Sequence, residues 1–292
     1  MTANEKINRR VSELIDKYSN PSNSVAQLLC DQYPSNKLAY KIINENMEEY
    51  DLSYGELKTQ STLLASGLLN RGIKKGDRIA TLMGKSKEYI ITLLAIWRIG
   101  AVHVPLFTAF STPAITLRVN GSNSKIVFCD QKQQSKLKPS DDFVPNGKLE
   151  VITTASFDQT PNWAFRWEDL LATDNSFKEE AGLDPDAPII HIFTSGTTGK
   201  PKGAIRKVGG EANQFGPLFK LIGWDRMDQL IYLTTGPLYH SGPLGFTLRS
   251  QLVGSTVVTQ YSFDAEDWLR LIDEHRVTST FSAPTPIRRV TA

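Results

Sequence analysis

Apolar residues along this chain fall into short runs that alternate between two spacings. Leu38-Ala-Tyr-Lys-Ile-Ile43, Arg78 to Met83, Ala101 to Leu106, Lys125 to Cys129 and Lys148 to Thr153 have strand length and β-rich composition. Ile189 to Phe193, Gln229 to Thr234, Thr256 to Thr259 and Ser279 to Ser282 continue the series. Between them lie segments at helical spacing: Val11 to Tyr18, Ser24 to Tyr33 with Asn23 or Ser24 as N-cap, Leu57 to Leu69, Lys87 to Ile99 and Ile115 to Asn120. Gly209 to Leu221, a stretch after a loop at Gly236 to Gly245, and Ala265 to His275 are the later helices. Gly72 and Gly100 are placed to end two of them. Strands alternating with helices predict a parallel α/β architecture, because parallel neighbours need a crossover of about a dozen residues or more.

Two polar stretches interrupt the alternation. Asp130 to Asn146 reads as a surface excursion. Ala172 to Pro188, acidic and proline-bearing, reads as the connection between two βαβ-type lobes, 1–175 and 176–292. The longest apolar stretch, Tyr89 to Phe107, is broken by Arg98, Gly100, His103 and Pro105. It falls short of the roughly 20 apolar residues of a membrane span, and Met1 to Tyr18 is too charged for a signal peptide.

Composition narrows the function classes. In 292 residues, 40% are hydrophobic and 22% charged, enough to bury a core without staples. Thirty-three Lys and Arg stand against 31 Asp and Glu, a net charge of +2, which gives no footprint for nucleic acid. Cys30 and Cys129 lie far apart and the histidines show no H-x-x-H, so neither a disulfide framework nor a zinc motif organises the chain. Asp264-Ala-Glu-Asp267 is an acidic first turn that suits a helix dipole.

The chemistry-bearing segment is Thr194-Ser-Gly-Thr-Thr-Gly-Lys-Pro-Lys-Gly203, directly after a strand. Its three glycines let backbone N–H groups approach an anion; its four hydroxyls and two lysines add donors and charge. A phosphate cradle and a plain Gly/Thr surface turn both suit that composition. It is not a Walker A loop, which would need Gly at the position of Thr194 and Ser or Thr at that of Pro201.

The same segment resembles the signature phosphate loop of the adenylate-forming (AMP-binding) superfamily of acyl-CoA synthetases, luciferases and nonribosomal adenylation domains. Four further stretches resemble that family's motifs in its order: Leu52-Ser-Tyr-Gly-Glu-Leu57, Arg98-Ile-Gly-Ala-Val-His-Val-Pro-Leu106, Pro237-Leu-Tyr-His-Ser-Gly242 and Phe281-Ser-Ala-Pro-Thr-Pro-Ile287. Phe193 and Phe107 depart from the family's frequent Tyr and Asp.

The resemblance implies the two-lobed large N-terminal domain of such enzymes, with the second lobe truncated and the mobile C-terminal domain absent. It implies an AMP-forming carboxylate–CoA ligase using ATP, Mg²⁺ and CoA on a small carboxylic acid. Thr194, Ser195, Gly196, Thr197, Thr198, Gly199, Lys200, Lys202 and Gly203 would hold the phosphates, and Thr197 would contact the Mg²⁺. His240 would be the catalytic-site histidine, lining the acyl pocket with Tyr239 and Phe246. An apolar fatty, aromatic or steroid-type acid fits the lack of cations near His240, Arg249 apart. With neither a signal-peptide pattern nor a membrane-span pattern in the sequence, a cytoplasmic location is the expectation, with peripheral membrane association left open. The family's later motifs do not occur before Ala292, so the expectation is a ligase portion inactive by itself; the alternative is a non-catalytic nucleotide- or acyl-binding remnant.

Overall fold

The computed structural model describes residues 2–19, 23–172, 187–194, 202–207, 218–220, 222–224 and 229–291. Strands are β1 (Leu38–Ile43), β2 (Glu49–Ser53), β3 (Arg78–Leu82), β4 (Val102–Pro105), β5 (Ser124–Cys129) and β6 (Glu150–Thr153). They continue as β7 (Phe165–Arg166), β8 (Pro188–Thr194), β9 (Lys202–Lys207), β10 (Ile231–Thr234), β11 (Thr256–Gln260) and β12 (Ser279–Phe281). The helices are α1 (Ala3–Ser19), α2 (Tyr54–Asn70), α3 (Lys87–Arg98), α4 (Thr112–Ser122), α5 (Ser241–Leu252), α6 (Ala265–Glu274) and α7 (Pro284–Val290). Gln27–Asp31 forms a π-helical turn within the helix expected from Ser24.

Two mostly parallel sheets result, a seven-stranded one in the order β7-β6-β5-β3-β4-β8-β9 and a five-stranded one in the order β12-β10-β11-β1-β2. Among the described strands, β8–β9 and β1–β2 pair antiparallel and the rest parallel. Side chains alternate across each sheet. In the first, Ile79, Ile126 and Phe128 face one core, while Ala80, Val127 and Cys129 face another with Ile115 and Val119 of α4. In the second, Tyr40, Ile42, Tyr232 and Val257 face the first of these cores, and Ile43, Leu233 and Val258 pack under Trp268 and Leu271 of α6. The layers therefore run α4, seven-stranded sheet, a central layer of α2, α3 and α5, five-stranded sheet, α6.

The sheets do not divide at residue 175. β8 takes the free edge of β4, and β11 takes the free edge of β1, so each sheet draws strands from both halves of the chain. Parallel pairing is non-local, and a boundary read from composition cannot see it. The expected connector lies almost wholly outside the described residues, as does most of the helix expected at Gly209 to Leu221. β2, β9 and α5 are among the elements that differ from the sequence reading. β2 pairs back on β1 through a turn in which Asn44 Oδ1 accepts from the N–H groups of Asn46 and Glu48, both at 2.9 Å. β9 forms one arm of a hairpin where a loop was expected. α5 starts at Ser241, inside the expected loop, because Pro243 suits a first helical turn.

In α3 every residue from Tyr89 to Arg98 is buried, as an apolar helix enclosed on all sides must be. Trp97 Nε1 donates to the Ile189 carbonyl of β8 at 3.0 Å, and Trp167 Nε1 donates to Thr92 Oγ1 at 2.8 Å. Arg98, 5% exposed, donates to Asp31 from both terminal nitrogens, Nη1 at 2.9 Å, and from Nε to Ser61 Oγ at 2.8 Å. Asp31→Ala strips a buried guanidinium of its counter-charge and is expected to cost about 3–5 kcal/mol. Urea denaturation should show a much smaller loss in the double variant Asp31→Ala/Arg98→Met than in Asp31→Ala alone.

Candidate active site

Strands of a parallel sheet deliver the loops at their carboxyl ends to one side, and in open α/β sheets ligands bind there. Here the carboxyl ends of two sheets meet. After β3, Gly84 donates to Asp130 Oδ2 at the end of β5 (2.9 Å), which fixes the start of the connection to α3. The chain leaving β10 then crosses to this edge: Tyr89 Oη donates to the Leu238 carbonyl at 3.2 Å, and Thr108 Oγ1 to Tyr239 Oη at 3.3 Å. Trp268 Nε1 holds Thr235 Oγ1 from below at 2.9 Å.

Rings then cluster. Phe107, just past β4, lies with its ring centroid 4.2 Å from His240, 5.0 Å from Tyr239 and 4.7 Å from Phe110. Tyr239 and His240 are themselves 5.1 Å apart. His240 stays open to solvent on one side, and the partial desolvation on the other holds its imidazole below the ordinary value, so the neutral ring predominates at pH 7, with one N–H to donate and one lone pair to accept. Apolar faces around a neutral imidazole suit an uncharged acyl chain.

Phe246 is placed otherwise. It stacks on Phe281 at 4.3 Å, with Trp224 edge-on at 6.3 Å. Phe281 also crowds Gly242, where a Cβ would sit 3.0 Å from its Cε1. The pocket candidates thus divide into Tyr239 and His240 beside Phe107, and Phe246 on the far side of Gly242.

Of the predicted phosphate loop, Ser195, Gly196, Thr197, Thr198, Gly199 and Lys200 lie outside the described residues. Thr194 and Lys202 are placed as directly paired residues that close the β8–β9 hairpin. Because β8 runs parallel to β4, Thr194 ends at the same side of the sheet as Phe107. Gly203 has a packing reason of its own: a Cβ there would lie 2.1 Å from Nε2 of His191.

Several other titratable groups lie away from this cluster. His103, wholly buried, is held near 3 by burial and bonds Thr81 Oγ1 at 2.8 Å. Cys30 and Cys129 are free thiols pushed to about 12 by burial, so neither is a thiolate at pH 7. His275 Nε2 lies 3.0 Å from a Glu49 carboxylate oxygen, and Lys41 pairs with the same carboxylate at 2.8 Å across β1 and β2. Among the described residues no helix is long and apolar enough to cross a membrane.

Sequence reasoning noted Phe107 only as a departure from a family pattern and passed over Phe110 and Thr108. The signal available for the first two was an aromatic pair three residues apart directly beyond a buried strand.

Comparison with known proteins bears on this geometry. Residues 28–292 match the family model described as AMP-binding enzyme. Acetyl-coenzyme A synthetase of Chlorobaculum tepidum is 32% identical, with 87% of this chain covered, and a mitochondrial acyl-CoA synthetase short-chain family member B of Dictyostelium discoideum is 30% identical, with 89% covered. In both cases the match covers 41% of the relative's own length. A crystal structure of Brucella canis acyl-CoA synthetase superposes with a TM-score of 0.82 at 25% identity, over 97% of this chain and 53% of that one.

If enclosure by Phe107 depresses His240, Phe107→Ser should raise the imidazole midpoint toward its ordinary value. A ¹H–¹³C NMR titration of the histidine rings, with His240→Gln for assignment, measures it. An unmoved midpoint would place the cause elsewhere.

Proposed function

The chain belongs to the AMP-binding enzyme family, and on that premise we propose that it carries the phosphate cradle and acyl pocket of an AMP-forming carboxylate–CoA ligase. In that reaction a carboxylate oxygen attacks the α-phosphate of ATP, pyrophosphate leaves, and the thiol of CoA then displaces AMP from the acyl-adenylate. The observation that carries the reading is one of placement. The β8–β9 hairpin that brackets Ser195 to Pro201 opens at the same sheet edge as the Phe107–Tyr239–His240 cluster.

The residues divide the work. Thr194, Ser195, Gly196, Thr197, Thr198, Gly199, Lys200, Lys202 and Gly203 hold the β- and γ-phosphates, with backbone N–H groups and hydroxyls as donors and the two ammonium groups as counter-charge. Charge that accumulates on the leaving pyrophosphate is thereby met by donors already in place. Hydroxyl and phosphate oxygens are the hard donors that Mg²⁺ prefers, and Thr197 is the candidate protein contact. The ion's contribution would be to neutralise phosphate charge. His240, neutral and beside Phe107, orients the acid carboxylate by a hydrogen bond. Tyr239 and Phe107 exclude water from its tail, and Phe246 shapes the pocket from the side of Phe281. These apolar rings favour an acid whose tail carries no second charge. ATP, CoA and that acid are the partners.

Titration calorimetry with pyrophosphate and with ATP tests the cradle on this chain. Lys200→Ala/Lys202→Ala should weaken both by about a hundredfold, two charge-assisted contacts' worth. Unchanged affinity in the double variant would overturn the assignment. CoA-ester formation by the same chain, followed by thiol consumption, distinguishes a ligase from a protein that only binds.

A further inference from the structure

Lys85 is a buried cation that the reaction above does not use. It lies just past β3, is 6% exposed, and no carboxylate pairs with it among the described residues. Its Nζ instead faces three successive carbonyls of the other sheet's exit, Thr234 at 3.5 Å and Thr235 and Gly236 at 3.4 Å. An ammonium has three N–H donors and no acceptor, so the match in number is complete, although each contact is long for a hydrogen bond. Burial without a counter-ion is expensive, and it pushes this amine down to about 7. A methionine or leucine would fill the same space without that cost, so the position needs a reason other than stability.

The reason lies in the stretch of chain just beyond the three carbonyls. Gly236, where a Cβ would collide with Pro243 at 2.4 Å, opens the segment that delivers Tyr239 and His240. Farther along, Tyr89 Oη of α3 holds Leu238 and Thr108 Oγ1 holds Tyr239, while the Phe107 ring packs on Tyr239 and His240. Lys85 holds its root. We propose that Lys85 is a positioning residue, whose ammonium clamps the exit of β10 to the end of β3 and so sets where Tyr239 and His240 stand relative to Phe107. The inference rests on the reading of that cluster as the acyl pocket.

The test is Lys85→Met, compared with wild type and with Lys85→Gln, by thermal unfolding, amide exchange of the 236–242 segment and His240 ring resonances. The clamp predicts that Lys85→Met melts no lower than wild type, since a buried cation is replaced by an apolar chain. Meanwhile protection of residues 236–242 falls about tenfold, and the His240 ring signals shift while those of His103 stay. Lys85→Gln, which keeps two N–H donors, should restore part of the protection. Unchanged exchange and His240 signals in Lys85→Met would overturn the proposal. So would a lower melting temperature with protection lost evenly along the chain, the signature of a merely structural residue. Pyrophosphate titration of the same samples separates this from the functional reading: wild type that binds none refutes the ligase assignment, whereas the exchange data decide the clamp either way.

Discussion

A helix without a solvent-facing side has to be enclosed from every direction, and α3 is enclosed by both sheets. Its residues Tyr89 to Arg98 are all buried, and its few polar groups reach out in specific directions: Arg98 to Asp31 and Ser61, Thr92 to Trp167, Trp97 to β8, Tyr89 to the chain beyond β10. Apolar burial supplies most of the favourable free energy, but it is non-directional. The polar contacts fix how the sheets lie across the helix, because each would be costly to leave unmade in a dry interior.

The site follows from that geometry. Once α3 aligns the sheets, the carboxyl ends of β3, β4 and β8 on one side and of β10 on the other open toward the same space. The β8–β9 hairpin and the Phe107–Tyr239–His240 cluster then lie at the same end of the sheets, the placement on which the proposed function rests. Positioning of this kind is a large part of what an enzyme contributes to a two-substrate reaction. The chemical division is clean as well: lysines and hydroxyls concentrate in the hairpin sequence, whereas Phe107, Phe110, Tyr239 and a neutral His240 form the other end. A charged intermediate's phosphate and its apolar tail would each meet matching surroundings.

Much of the fold was legible because burial on both faces writes near-continuous apolar runs, as in β3, β4 and β5. The helices α3 and α6 were equally plain, the latter from its acidic cap at Asp264, whose side chain accepts from Glu266 and Asp267. What stayed hidden has physical causes. β2 and β9 are half-exposed or exposed antiparallel arms with polar sequences, so periodicity carries little signal there. The start of α5 was masked by Gly242 and Gly245, both poor helix formers. Interleaving of the chain's halves between the sheets depends on strand pairing across large sequence distances, which no local pattern encodes. For the site, the resemblance of five motifs pointed to Thr194 to Gly203 and His240. Phe107 and Lys85 emerged only from the juxtaposition of two sheets.

The central claim is that both sheets share one core through α3 and therefore form the site as a single unit. Native-state hydrogen exchange across a urea series tests it most directly. Amides of α3, of β3 and β4, and of β10 and β11 should open with one common free energy and one denaturant slope, that of global unfolding. If β10 and β11 instead open at a lower free energy with their own slope while β3 and β4 stay protected, the sheets are separate units, and the account is contradicted.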